Sequence, residues 1–207
     1  MLSHGLSLLA NNPPVTLNDH RRFWFCVHEA GHFTIACALE VDVDYVIANS
    51  EEGITQCDPY LPPTSMGRLA SAGIGAERFV RREFIEPATA HLYSYLPVET
   101  LLTTRENLHA GRITTDYIEF KRSVLNTTDR EEAFICCADA SETFFKYQYV
   151  NLFCHTICAL YDSTYIGSDM INSIKNDSII HDTHKLNDLG RIPRNIREHY
   201  HIAYIAN

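Results

Sequence analysis

The chain has 207 residues, of which 45% are hydrophobic and 21% charged, and its formal net charge is −9. This composition is that of a folded globular protein, and no apolar run approaches the roughly 20 residues that a transmembrane helix needs. The acidic balance argues against a nucleic-acid partner, because binding a phosphate backbone requires a basic face.

Residues 1–14 have a short apolar patch at 6–10 but neither the cationic region nor the long apolar region of a signal peptide, so we expect an unprocessed, cytoplasmic chain. The seven cysteines are odd in number and lack the spacing of a disulfide framework, which is typical of a reducing compartment. No repeat or linker divides the sequence. We therefore predict one domain over residues 1–207, with a lead-in at 1–18, a core at 19–125 and a helical C-terminal part at 126–207.

The first half of the chain predicts two helices separated by a small sheet. Apolar residues at helical spacing predict a helix over about 19–40, which Thr16 or Asn18 can cap. Residues 41–46 change to period two and predict a strand, with 53–56 as its hairpin partner. A second helix is predicted over 65–84, where small residues near the middle permit close packing of helices.

The second half also favours helices. Residues 87–102 are partly helical by pattern, and Thr114 or Thr115 can cap a helix that reaches Val124. Thr128 and a glutamate three residues later form a capping box that opens a long apolar helical stretch to about residue 161. Pro193 can begin a last short helix. The predicted fold class is mainly α, a compact helical domain with a small sheet or hairpin after the first helix.

The first predicted helix contains the segment HEAGH at residues 28–32. Residues four apart lie on one face of a helix, so His28 and His32 can direct their imidazoles at one metal ion. Glu29 lies beside them, where its carboxylate can act as general base on a water molecule that zinc activates. We predict a zinc-dependent metallopeptidase site with Glu29 as the catalytic base.

A catalytic zinc ion usually has three protein ligands, so a third must come from elsewhere in the chain. Glu77, His91, His109 and Asp116 have suitable side chains, and spacing does not choose among them. Cys154, His155 and Cys158 are also metal-binding residue types, but cysteines four apart on an apolar helical run are typical of core packing.

Three segments resemble the peptidase domain of the FtsH-type ATP-dependent zinc proteases. Residues 27–32 (VHEAGH) resemble the catalytic helix of that family, 72–78 (AGIGAER) resemble its small-residue helix, and 113–118 (ITTDYI) resemble the segment that carries its third zinc ligand. The resemblance implies that His28, His32 and Asp116 bind Zn²⁺ and that Glu77 lies nearby as a packing or orienting residue. It covers about residues 19–124. Capping of a helix is the alternative role for Asp116.

The sequence departs from that family in having no G-x-x-x-x-G-K-[ST] motif. Because 18 residues precede the first predicted helix, we expect no ATPase module in this chain. We therefore expect the chain itself to hydrolyse peptides or unfolded proteins without ATP. A separate ATPase partner and a homo-oligomer are both compatible with this activity. We also expect the strand at 41–46 to pair with an extended substrate. The alternatives are a non-catalytic scaffold stabilised by zinc and a regulatory protease with one partner substrate.

Overall fold

The computed structural model of the chain describes residues 16–57, 61–84, 115–123, 130–147 and 149–180. Within these ranges it contains six helices and three strands. The helices are α1 (Leu17–Ala38), α2 (Pro63–Phe84), α3 (Thr115–Ser123), α4 (Arg130–Tyr147), α5 (Val150–Ser163) and α6 (Ser168–Ile180). The strands are β1 (Val43–Ala48), β2 (Gly53–Cys57) and β3 (Tyr165–Ile166). The predicted fold class, mainly α with a small sheet, is confirmed.

Helix α1 begins at a capping box. The Asp19 backbone N–H donates to Thr16 Oγ1 at 3.2 Å, and the Thr16 backbone N–H donates to Asp19 Oδ2 at 2.8 Å. This exchange satisfies two backbone groups that a helix start would otherwise leave unpaired. The helix ends at Ala38, and the positive φ of 56° at Glu40 turns the chain towards β1. The predicted helix at about 19–40 is therefore confirmed to within two residues at each end.

The three strands form an antiparallel sheet in the order β2-β1-β3. The β1–β2 hairpin confirms the predicted pairing. Our expectation that the strand at 41–46 pairs with substrate is wrong, because β1 is the central strand and has a neighbour on both sides. It pairs with β2 from Val43 to Ala48 and with β3 at Val46 and Ile47.

Helices α1 and α2 approach each other closely at a glycine. A Cβ atom on Gly31 would lie 2.5 Å from the Ala76 Cβ and 2.7 Å from the Ala72 carbonyl oxygen. No larger residue fits there without moving the helices apart. On its other sides, α2 packs against α4 and α3, and α1 packs against α5 and the hairpin. The first two helices therefore lie at the centre of the described part of the chain.

The C-terminal part differs from the predicted single helical stretch between residues 128 and 161. Two helices occupy it, with Tyr149 in a non-helical conformation at the start of α5. The apolar pattern continues through this break because α5 is buried on several faces, so the pattern contains no signal for it. Strand β3 is an addition to the predicted elements, and helix α6 lies within the part at 126–207 that is predicted to be helical. The predictions for 87–102 and for Pro193 lie outside the described residues.

One large apolar cluster joins the two halves of the chain. Its buried members come from α1, β1, α2, α4, α5, β3 and α6, and include Phe33, Val46, Phe79, Phe153 and Ile166. A smaller cluster holds α3 against α2 and α4 through Ala70, Tyr117, Phe120 and Phe134. None of the helices in the described ranges is long and apolar enough to cross a membrane.

Candidate metal centre

The histidines of α1 meet as their spacing predicts. The two Nε2 atoms of His28 and His32 lie 3.0 Å apart, and the ring centroids are 4.8 Å apart. His32 is buried and His28 is partly exposed. The helix therefore brings two nitrogen donor atoms to one point at the edge of the core.

Helix α3 brings a carboxylate to the same point. Asp116 lies in its first turn, and Asp116 Oδ2 is 2.9 Å from His28 Nε2 and 3.5 Å from His32 Nε2. The side chains of Asp116 and His28 are 20% and 18% exposed, so the described residues leave this side of the cluster accessible to solvent. A catalytic metal site needs such an accessible position for water or substrate.

The other nitrogen of each imidazole has a partner that can only accept a hydrogen bond. His32 Nδ1 lies 2.8 Å from the Leu69 carbonyl oxygen, so Nδ1 must carry the proton and donate it. His28 Nδ1 lies 2.7 Å from Glu77 Oε1 and donates in the same way when Glu77 is ionised. In the neutral imidazoles both Nε2 atoms then have lone pairs.

Three acceptor atoms therefore converge at this point: two imidazole nitrogens and the Asp116 oxygen, with separations of 3.0, 2.9 and 3.5 Å. Acceptors this close repel one another unless a proton or a cation lies between them. Donor atoms bound 2.0–2.1 Å from a tetrahedral zinc ion lie about 3.3 Å apart. The donor set and its spacing fit a metal ion of that size.

The pKa values of His28, His32 and Asp116 are all shifted in the direction that favours charged side chains. Burial lowers the pKa of His28, but the Asp116 and Glu77 carboxylates outweigh it and raise that pKa well above its ordinary value. Burial also lowers the pKa of His32, and Asp116 again raises it overall. Burial raises the pKa of Asp116, yet the two imidazoles hold it well below its usual range. These shifts all favour positive charge on the two imidazoles beside an ionised Asp116 carboxylate.

Glu29 lies beside this cluster, and its candidate ligand atom is within 4.8 Å of those of His28 and His32. Asp116 Oδ2 lies 2.9 Å from His28 Nε2 and 3.5 Å from His32 Nε2, so the converging set contains Asp116, with Glu29 as its neighbour. Glu29 is only 5% exposed, and the Thr55 hydroxyl donates to Glu29 Oε2 at 2.7 Å. Burial raises the pKa of Glu29 above its ordinary value, which is the direction of shift that favours a general base.

A glycine on α2 makes room for the His28 ring. A Cβ atom on Gly73 would lie 2.3 Å from His28 Nε2 and 2.4 Å from Cε1, closer than any side chain tolerates. The small residues predicted to allow helix packing therefore also leave the space that the imidazole occupies. Glu77, one turn further along α2, lies against the other side of the same ring.

The structure thus brings together His28, Glu29, His32, Asp116 and Glu77, five of the residues that the sequence singles out. His91 and His109 lie outside the described residues. Three further features from outside α1 shape this cluster and were missed in the sequence: the Leu69 carbonyl, the Thr55 hydroxyl and the space at Gly73. A backbone carbonyl and a threonine in a strand have no sequence signature of such a role.

Comparison with known proteins adds no relative: no protein-family model, no curated protein and no solved structure matches this chain.

Proposed function

We propose that the chain is a zinc-dependent metallopeptidase whose metal ligands are His28, His32 and Asp116. The observation that carries the proposal is the convergence of three acceptor atoms within 3.5 Å of one another. Two of these atoms are imidazole Nε2 atoms, and the acceptor at each Nδ1 atom sets the tautomer of its ring. Imidazole and carboxylate donors with an accessible fourth position are typical of catalytic zinc. The relation to the FtsH-type peptidase domain stays a prediction from the three segments.

Zinc bound by these residues would lower the pKa of a bound water to about 7 and polarise a substrate carbonyl. Glu29 would accept a proton from the attacking water while the water oxygen adds to the peptide carbonyl carbon. Glu29 then returns that proton to the amine nitrogen when the C–N bond breaks. Glu77 holds His28 in the tautomer and orientation that the ligand role requires.

An extended substrate has a suitable partner in β2, which is an outer strand of the sheet in the part of the chain that the structure describes. The Ala48 N–H donates to the Thr164 carbonyl at 3.0 Å on the β3 side, and the β2 partner of Ala48 is Gly53. Because backbone groups alternate in direction along an antiparallel pair, those of Gly53 and Thr55 point away from β1. A peptide paired with this edge would lie next to Glu29.

The test combines metal analysis with peptide hydrolysis. We expect about one zinc ion per purified chain, cleavage of an unfolded protein substrate such as reduced casein, loss of cleavage with a chelator and recovery with zinc. Glu29→Gln should keep the zinc and lose about 10²–10⁴-fold in kcat, because an amide cannot accept the proton.

Two results would contradict the proposal. Full turnover by Glu29→Gln would remove the general base. Bound iron in place of zinc, with no hydrolysis, would favour an oxygenase, since two histidines and one carboxylate also bind iron in that class of enzyme.

A further inference from the structure

The Glu29 carboxylate is held from the β2 side as well as by its own helix. The Thr55 hydroxyl donates to Glu29 Oε2 at 2.7 Å and lies 3.3 Å from the Glu29 carbonyl oxygen. A Cβ atom on Gly53 would lie 2.5 Å from Glu29 Oε1 and 2.9 Å from its Cγ. Both carboxylate oxygens therefore contact or closely approach this strand.

The hairpin register brings these two residues to the helix together. Val46 pairs with Thr55 and Ala48 pairs with Gly53, so Gly53 and Thr55 are two positions apart and lie on the same face of β2. That face contacts α1, since both residues approach Glu29. Thr55 offers a hydroxyl and Gly53 offers space. Together they select one position for the Glu29 side chain, which has several rotatable bonds.

We propose that Thr55 is a positioning residue for the general base: its hydroxyl fixes the Glu29 rotamer, and the missing Cβ at Gly53 leaves room for the second oxygen. This rests on the proposed function. Among the described residues, the Thr55 hydroxyl forms hydrogen bonds with Glu29 and none with His28, His32 or Asp116, so we expect it to act on turnover through Glu29 and to leave metal binding unchanged.

The first arm of the test measures turnover and zinc affinity in Thr55→Val, which keeps the shape of the side chain and removes the hydroxyl. We expect kcat to fall by about ten- to a hundredfold, because misplacing a catalytic group by about 1 Å has an effect of that size. KM and the zinc dissociation constant, measured by competition with a chromophoric chelator, should stay within about twofold of wild type. Thr55→Ser, which retains the donor, should recover most of the lost kcat.

Thr156→Val is the matched control. Thr156 is a buried threonine whose hydroxyl donates to the Leu152 carbonyl at 2.7 Å within α5. The loss of a hydrogen-bonded hydroxyl at this position, remote from Glu29, should leave kcat unchanged. An equal fall in kcat for both variants would overturn the proposal, because a general loss of stability would explain it.

The second arm needs no activity. It is a double-mutant cycle on the urea midpoint of the metal-free protein, with Thr55→Val made in the wild type and in Glu29→Ala. We expect Thr55→Val to lower the midpoint in the wild type and to have little further effect in Glu29→Ala. Equal shifts in both backgrounds would overturn the proposal, because the hydroxyl would then stabilise something other than Glu29.

The two proposals fail in different ways. A zinc-loaded wild-type chain without peptide hydrolysis removes the proposed function and the positioning role with it. Full kcat in Thr55→Val beside an inactive Glu29→Gln removes the positioning role alone.

Discussion

Helices α1 and α5 both carry metal-binding residue types four positions apart, yet only α1 forms a candidate site. In α1, the Nε2 atoms of His28 and His32 converge with the Asp116 carboxylate. In α5, Cys154 and Cys158 are each only 1% exposed and lie within the large apolar cluster. The spacing alone puts two side chains on one face of a helix. The groups that other elements place opposite that face decide whether it binds a metal ion.

The largest expected effect is on zinc affinity, and it distinguishes α1 from α5 as the helix that binds the ion. His28→Ala and His32→Ala should each lower zinc affinity by more than about a hundredfold, since losing even an outer partner of a ligand costs about 10–100-fold. The zinc content after dialysis should fall from one ion per chain to almost none, as measured by mass spectrometry. The matched control is the double variant Cys154→Ala/Cys158→Ala, which should keep its zinc. Zinc lost from the control and kept in His28→Ala would move the site to α5.

A second, smaller contrast lies within the site, between the two carboxylates near His28. Asp116→Asn should lower zinc affinity by more than about a hundredfold, because it removes a negative charge whose oxygen faces both imidazoles. Glu77→Gln should lower zinc affinity by about tenfold or less, because the amide oxygen can still accept a hydrogen bond from the N–H group at His28 Nδ1. Competition with a chelator measures both. The reverse order would make Glu77 the third ligand.

The smallest effect concerns the space for the His28 ring. Gly73→Ala would ordinarily stabilise a helix by about 0.5–1 kcal/mol. Here the added Cβ would overlap the ring, so we expect zinc affinity to fall by about 10–100-fold, as when a ligand loses its orientation. Ser71→Ala on the same helix removes only a hydroxyl that donates to the Arg68 carbonyl, and should leave zinc affinity unchanged. Equal affinities in both variants would show that the ring can move aside.

Much of the fold was predictable because α1, α2 and the hairpin each have a period that the sequence displays. The break between α4 and α5 was not predictable. Apolar side chains lie on several faces of α5, so the apolar pattern does not show where α4 ends. Strand β3 has only two residues, Tyr165 and Ile166, too few to show alternation. Its place is set by pairing with Val46 and Ile47, a long-range contact.

The site divides in the same way. His28, Glu29 and His32 follow from helical geometry alone, because all of them lie within five residues of one helix. Asp116 could be predicted as a ligand only from the resemblance between segments. It lies 88 residues from His28 in the sequence, and such a separation does not reveal whether two residues are close in space. Thr55 reaches Glu29 only through the hairpin register. Contacts of that kind arise from the tertiary fold.

The contact between His28 and Asp116 also has a consequence for chain entropy. These residues are 88 positions apart, so an ion that binds both would close a loop of that length. A permanent cross-link over such a loop restricts the unfolded chain by roughly 4–5 kcal/mol. Helix α3 otherwise rests on the small cluster around Tyr117, Phe120 and Phe134. Metal removal would therefore speed amide hydrogen exchange in α3 well before α1, and the ion would fasten a peripheral helix as well as activate water.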